Sequence, residues 1–397
     1  MIIGIVGKPN VGKSTFFCAA TLAPAEIADY PFTTIKPNKG MAYLRTRCPH
    51  LDLGHPCNPR NSACEKGVRL VPVELIDVAG LVPDAWQGKG LGNQFLDDLR
   101  QADALIHVVD SSGGTDSEGL PVQCDSHDPM VDVKFLEREM DHWIKGILDK
   151  GWEKAAKQAH LEGEKVSELI HNKMTGLGMA MPHITAALRE AGLPGAPDAW
   201  TQDDLMRLSA LLRKYSKPMI IALNKADVAC DATLQRMAHI EHYMSIPTCA
   251  QSELALRRAA KAQLIEYLPG DQQIKIADPA KLNPAQKKGI DYIQSHVMNK
   301  FKGTGVQQSL EVAAFKMLDL IPVYPVEDEH RWTDKSGNVL PDTHLVKRGA
   351  TARDLAYKIH TDLGESFIRA VNARTKRIVG ADYVLQEGDV ITIISKK

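Results

Sequence analysis

Apolar positions along the chain fall into three kinds of pattern. Ile2–Val6, Val73–Asp77, Ala104–Asp110 and Pro218–Asn224 are near-continuous apolar runs. Such runs predict parallel strands covered by helices on both faces. Between Asp110 and Pro218 the strand pattern vanishes and helical spacing replaces it, predicting helices over Val131–Lys150, Trp152–Met174, Pro182–Ala191 and Asp203–Tyr215. The last opens on Thr201-Gln202-Asp203-Asp204, a capping box, and sets Leu205, Leu208, Leu211 and Leu212 on one face. These stripes predict a packed helical subdomain rather than a cofactor site, with Trp143 and Trp152 as anchors.

The third pattern begins near Leu320. Ile321–Val326 and Leu345–Lys347 are predicted strands around a turn at Asp334–Asn338. A helix follows, with Thr351 as N-cap, Asp354 three residues on, Leu355, Ile359 and Leu363 as its buried face, and Gly364 as its stop. Ser366–Asn372, Arg377–Val379 and Val390–Ile394 complete a set of strands around one helix, which predicts a β-grasp module. The chain therefore divides into an α/β domain over 1–128 and 216–319, a helical insertion over 129–215 and a β-grasp domain over 320–397.

Composition narrows the function classes. The 397 residues carry a net charge of −1, so no whole-molecule field draws the chain to DNA or to a membrane. Neither is an expected partner, and any nucleic-acid contact must come from a local patch. The chain opens directly into a strand, no run approaches the ~18 apolar residues of a bilayer span, and seven cysteines suit no disulfide framework. The expected location is cytoplasmic.

Chemistry enters at the strand ends, where open α/β sheets bind ligands. Gly7-Lys8-Pro9-Asn10-Val11-Gly12-Lys13-Ser14 fits G-x-x-x-x-G-K-[ST] between a predicted strand and a predicted helix, Ser14–Thr21. Its glycines let successive backbone N–H groups converge on a phosphate, with the helix N-terminus behind them. Lys13 is the expected β/γ-phosphate ligand, Ser14 a magnesium ligand, and Thr15 the next contact along the nucleotide. Asp77-Val78-Ala79-Gly80 ends the second strand, placing a carboxylate for Mg2+ and the Gly80 N–H for a γ-phosphate. Asn224-Lys225-Ala226-Asp227 ends the fourth. There the Asp227 carboxylate is expected to accept from guanine N1–H and the 2-amino group. Adenine offers neither, and would leave that carboxylate unpaired at a cost of about 1–3 kcal/mol.

These motifs resemble the G1, G3 and G4 elements of translation-factor-like GTPases. Tyr30-Pro31-Phe32-Thr33-Thr34-Ile35 resembles the Obg-type switch I, as does the glycine-rich Gly88–Arg100 segment the stretch after G3 in that group. The C-terminal module resembles a TGS domain. In this order the parts resemble the YchF branch of the Obg group (Obg-like ATPases), over essentially the whole chain. The resemblance implies a Ras-like P-loop G domain with a helical insertion and a C-terminal TGS domain. It implies Thr34, beside Thr33, as the switch threonine on Mg2+ and the γ-phosphate. Cys249-Ala250-Gln251 takes the place of the G5 loop, where the Ala250 N–H would meet guanine O6. The intact Asn-Lys-x-Asp argues for GTP against the ATPase label of the branch. Leu81 stands where Ras-like enzymes carry a water-orienting glutamine. Asn10 is either a ligand for K+, which would stabilise transition-state charge, or a residue that shapes the loop.

Other features are weighed against blander readings. Cys48, Cys57 and Cys64, with His50 and His55, offer zinc-type ligands. Paired C-x₂₋₄-C spacing is absent, so a proline-stiffened insertion is the expectation. His107, inside a strand, is expected to be a satisfied core histidine. Arg331–Lys397 holds twelve Lys/Arg against eight Asp/Glu, and Arg369, Arg374, Lys376 and Arg377 surround one turn. That patch is either a solvated face or an RNA contact. The leading functional expectation is a slow GTP-hydrolysing switch that acts on the ribosome or translation. The alternative is a nucleotide-gated binder of a protein partner, with ATP use open. A transferase role finds no accompanying catalytic set.

Overall fold

The computed structural model describes residues 1–22, 38–78 and 98–396. The switch I segment with Thr34, the Gly80 and Leu81 positions, and the glycine-rich stretch up to Asp97 lie outside the described residues. Two compact units form, Met1–Gly40 with Glu74–Ser309 and Met41–Val73 with Leu310–Lys397.

Strands β1 (Ile2–Val6), β2 (Lys39–Arg47), β3 (Ala63–Glu65), β4 (Val68–Asp77), β5 (Ala104–Asp110), β6 (Met219–Asn224) and β7 (Ser245–Pro247) build one sheet. Its order is β2-β4-β1-β5-β6-β7, with β3 antiparallel on the edge of β4. From β4 through β7 the pairing is parallel. Every residue of β5 and β6 is buried, as continuous apolar runs require when helices cover both faces. The order turns back at β1, between β4 and β5. Chain reversal there opens a crevice above the carboxyl ends of the strands.

The predicted helices are present at Pro129–Asp149, Met181–Ala191 and Gln202–Ser216. Thr201 and Asp204 make the full reciprocal capping box. The expected single helix over Trp152–Met174 is two, Trp152–Glu162 and Val166–Met174. Gly163 takes the left-handed conformation (φ 67°) and its N–H caps the carbonyls of Ala159 and His160, which ends the first helix. Trp152 is buried and stacks on Trp200 with centroids 5.3 Å apart. A short ribbon of β8 (Ile265–Glu266) and β9 (Lys275–Ile276) follows the helix Ala250–Lys261.

In the second unit β10 (Leu320–Val326), β11 (His344–Lys347), β12 (Phe367–Asn372), β13 (Arg377–Val379) and β14 (Val390–Ser395) form a sheet in the order β11-β10-β14-β12-β13. The expected helix after Thr351 stops at Ile359, before Gly364. His360 is extended (φ −161°) and its side chain caps a second short helix, Thr361–Glu365. Gly364 has a packing role instead of a terminating one: a Cβ there would sit 2.3 Å from the Tyr357 ring. The sequence pattern keeps Met41–Val73 with the α/β domain, but contacts group it with the C-terminal residues. Cys48 is the physical reason, being buried in a small core with Tyr324, Val326, Trp332, Leu340, Ala373 and Val390.

Candidate nucleotide site

At the end of β1 the chain turns through Gly7, where φ is 146° and a Cβ would stand 2.4 Å from the Val108 carbonyl oxygen. Gly12, at φ 97°, approaches so closely that a Cβ would be 2.3 Å from Asn224 Nδ2. Both positions admit only glycine. Between them Asn10 is left-handed (φ 61°), and its amide nitrogen donates to the Gly119 carbonyl at 2.9 Å. Pro9 and Val11 complete the loop, with Val11 fully buried. The helix Lys13–Thr21 starts directly after Gly12, so its unsatisfied N–H groups and positive end face the loop.

The two lysines of the loop do different things. Lys8 turns its ammonium into the protein, where it donates to the Thr115 carbonyl at 2.9 Å and pairs with the Asp132 carboxylate at 2.9 Å. Its side chain is a brace, which leaves its backbone to face a ligand. Lys13 lies across the loop and donates to the Lys8 carbonyl at 2.8 Å. Burial pushes the Lys13 ammonium below its usual range, against the raising influence of Asp77.

Asp77, the last residue of β4, accepts from Ser14 Oγ through Oδ2 at 3.1 Å, while its buried Oδ1 has no partner among the described residues. Burial pushes this carboxyl above its ordinary range. Burial thus disfavours the charged form of both the buried Lys13 ammonium and the half-buried Asp77 carboxylate. A triphosphate with its metal ion is a partner set that favours the charged form of each. Two hard oxygens, one of them an orphaned carboxylate oxygen, suit magnesium.

The segments Asn224–Asp227 and Cys249–Gln251 converge on the same crevice. Asn224, at the end of β6, donates from Nδ2 to the Val11 carbonyl at 2.8 Å and accepts from the Ala250 N–H at 3.0 Å. Lys225 is left-handed (φ 60°) and pairs with the buried Asp110 at 2.7 Å, reaching the Asn10 carbonyl at 3.3 Å. A cavity of about 230 Å³ is walled by Gly12, Thr15, Asn224, Lys225, Asp227, Val228, Cys249, Ala250 and Gln251. The sequence motifs, more than two hundred residues apart in places, therefore share one wall. One expectation changes: the Ala250 N–H, assigned to guanine O6, is engaged by Asn224 Oδ1, because the loop is tied to the side chain that orders the P-loop. The Cys249 N–H donates to the Thr304 carbonyl at 2.8 Å, and Gly305 passes so near Pro247 that a Cβ would lie 2.0 Å from its carbonyl oxygen.

Three residues escaped the sequence reading. Asp110 fixes Lys225 and also accepts from the Ser112 and Thr115 hydroxyls. It ends an apolar strand, the same signal that marked Asp77. Asp132 braces Lys8. Tyr292 reaches Asp227 Oδ2 from a distant helix at 3.4 Å, and nothing in the sequence pattern marks it. His107 is a buried histidine whose Nδ1 has no partner among the described residues, against the expectation of a satisfied one. Burial, with the charges of Lys13 and Lys8, lowers its pKa to about 3. In the basic cluster Arg369, Lys376 and Arg377 are exposed, whereas Arg374 is tied to Asp52 and to the Gly388 carbonyl.

A glycine-demanding phosphate loop, a helix N-terminus and a Ser–Asp pair joining the first turn of that helix to the end of the adjoining strand β4 define the class, a P-loop nucleoside triphosphatase. Comparison with known proteins refines it. Residues 2–143 match the model of the 50S ribosome-binding GTPases, 222–328 that of the Obg-like GTPase YGR210-like G4 motif-containing domain, and 335–395 that of the TGS domain. A GTP-binding protein of Methanocaldococcus jannaschii is 52% identical, with 99% of each chain covered. The ribosome-binding ATPase YchF of Haemophilus influenzae is 30% identical, covering 98% of this chain and 97% of its own. The crystal structure of a GTP-binding protein from Pyrococcus horikoshii OT3 superposes with a TM-score of 0.80 at 45% identity, over 100% of both chains. The chain belongs to the YchF-type branch of the Obg family of P-loop GTPases, with a C-terminal TGS domain. Among the described residues no helix is long and apolar enough to cross a membrane.

Proposed function

We propose that this protein is a GTP-hydrolysing molecular switch that acts on the ribosome. One observation carries the choice of base: Asp227 lines the same cavity as Gly12 and Thr15 of the phosphate loop. A carboxylate at that wall matches the N1–H and 2-amino donors of guanine and repels the acceptor N1 of adenine. In this reading Lys13 meets the β- and γ-phosphates, and Ser14 and Asp77 hold Mg2+ together with Thr34. The Gly80 N–H meets the γ-phosphate. Bound magnesium supplies charge neutralisation on the phosphates. With the Asn10 amide nitrogen held by Gly119, its oxygen is the atom suited to a K+ ligand.

The ribosome enters through the relatives. The model matched by residues 2–143 is that of 50S ribosome-binding GTPases, and the bacterial relatives are named ribosome-binding ATPases. Exposed Arg369, Lys376 and Arg377 give the TGS domain cations for RNA phosphates. The helical residues 129–215 and the TGS domain would carry the nucleotide state to that partner in the cytoplasm.

The test is co-sedimentation of the protein with ribosomes in the presence of a non-hydrolysable GTP analogue, GDP, or the matching ATP analogue. Retention with the GTP analogue alone supports both parts of the proposal. Retention with the ATP analogue overturns the base assignment, and no retention with any nucleotide overturns the ribosomal role.

A further inference from the structure

The segment between β2 and β4 holds a second site that the nucleotide chemistry does not use. Cys48 follows β2, His50 opens the short helix His50–Leu53, Cys57 lies beyond the left-handed Gly54, and Cys64 is the middle residue of β3. Their spacing, C-x-H-x₆-C-x₆-C, has no close cysteine pair, so it argued against a metal. The fold overrides that argument, because each ligand comes from a different turn of the chain. The Cys48, Cys57 and Cys64 sulfurs and a His50 ring nitrogen all lie within 4.8 Å of one another. His55, equally eligible by sequence, is not in the group and is exposed.

We propose that Cys48, His50, Cys57 and Cys64 form a structural zinc site, independent of the nucleotide reading. A tetrahedral ion with Zn–S near 2.3 Å and Zn–N near 2.0–2.1 Å requires ligand edges of about 3.8 Å between sulfurs and about 3.5 Å from sulfur to nitrogen. The sulfurs of Cys48 and Cys57 are 3.7 Å apart, and His50 Nδ1 lies 3.3 Å from the Cys57 sulfur and 3.5 Å from the Cys64 sulfur. All three thiols are free, with no disulfide among them. Four protein ligands fill the tetrahedron and leave no position for a substrate, and three thiolates favour zinc over hard cations.

A second observation concerns charge. Zinc with three thiolates and a neutral imidazole carries a net charge of −1 inside a small core. Arg69 pairs directly opposite Cys64 across the β3–β4 hairpin, and it is fully buried. Its guanidinium lies over the Tyr324 ring, 5.4 Å from the centroid, and Tyr324 shares the core with Cys48. The Arg69 Nη atoms donate to neutral oxygens, Ser62 Oγ and the Leu340 carbonyl, while Nε has no partner among the described residues. A buried guanidinium bonded to neutral groups is costly unless an anionic centre stands nearby. The zinc–thiolate cluster is such a centre. Residues 54–62 contain no helix or strand and dock through Asn58 N–H to the Val339 carbonyl and Arg60 N–H to the Pro341 carbonyl. A metal clip closes this loop where apolar burial alone is thin.

The test uses the full chain, produced with zinc in the medium and purified without chelator. Elemental analysis by mass spectrometry is expected to give about one zinc per chain. Cys57→Ser and Cys64→Ser should reduce this to near zero, and His55→Ala should leave it unchanged. Because a cysteine variant can fail to fold, the wild-type chain is also stripped and reloaded with Co2+. Thiolate-to-cobalt charge transfer with the visible bands of a tetrahedral ion supports the site. A wild-type chain that takes up neither metal, or that holds stoichiometric iron in place of zinc, overturns the proposal. So does zinc lost from His55→Ala and retained by Cys64→Ser.

Discussion

The carboxamide of Asn224 joins two loops that the sequence separates widely, donating to the Val11 carbonyl at 2.8 Å and accepting from the Ala250 N–H at 3.0 Å. Asn224 is itself buried, as are Val11 and Ala250. Truncation by Asn224→Ala strands one donor and one acceptor at about 1–3 kcal/mol each. The P-loop and the 249–251 loop would then move independently. Nucleotide affinity is expected to fall by about 10–100-fold, with a drop in thermal stability of the same sign. Titration calorimetry and thermal unfolding measure both, and an Asn224→Ala chain with wild-type affinity would remove this bridge from the account of binding.

Asp227 tests the base assignment by inversion. Asp227→Asn replaces one acceptor oxygen by an NH₂ donor while keeping the shape. The new pair fits a base that carries a carbonyl in place of the 2-amino group, as xanthine does. GTP affinity should fall by about 30-fold or more and xanthosine triphosphate affinity should rise, each tenfold step corresponding to about 1.4 kcal/mol. Competition against a fluorescent nucleotide reads the change. Unaltered GTP binding by the variant would place the base elsewhere.

The fold was legible where burial is two-sided and motifs sit at strand ends. β1, the second half of β4, β5 and β6 announce themselves as apolar runs, and Gly7–Ser14, Asp77 and Asn224–Asp227 sit where the first, second and last of those runs stop. Thr201 and Asp204 were legible because a capping box is local. What stayed hidden depends on contacts between distant positions. The Asp110–Lys225 pair, the Lys8–Asp132 brace and the reach of Tyr292 to Asp227 join residues with no periodic relation. Gly364 reads as a helix stop, yet the crowding of the Tyr357 ring is what requires it. The cysteines between β2 and β4 lacked paired spacing because a helical turn and a hairpin, not one tight knuckle, bring them together.

Asp77 and Ser14 test the magnesium reading. Asp77→Asn keeps the size of the side chain and the Ser14 contact but removes the carboxylate charge. Nucleotide affinity measured in chelator should hold or rise slightly, because a negative charge beside the phosphates has gone. The gain in affinity on adding Mg2+ should shrink, and hydrolysis should fall by about 100-fold or more, the scale of losing one preorganised charge interaction. Magnesium titration of nucleotide binding separates these outcomes. An unchanged magnesium dependence in both Asp77→Asn and Ser14→Ala would mean that the ion is held by other groups.

His107 converts burial into acid sensitivity. It sits in β5 between Val6 of β1 and Ile221 of β6, and its pKa is lowered to about 3, chiefly by burial and further by Lys13 and Lys8. In the unfolded chain an imidazole titrates near 6.5. Below that pH the unfolded state therefore binds a proton that the folded state refuses, so stability falls as pH drops. The contribution is fully present above about 6.5 and drains away at up to ~1.4 kcal/mol per pH unit until about 3. His107→Leu removes the titrating group and the orphaned Nδ1 together. Its urea-unfolding stability should decline less steeply than wild type between about pH 6.5 and about 3, with equal slopes above that window. Equal slopes within it would mean that the histidine gains its proton inside the fold, and that the β1–β5–β6 centre opens to water well before the chain unfolds.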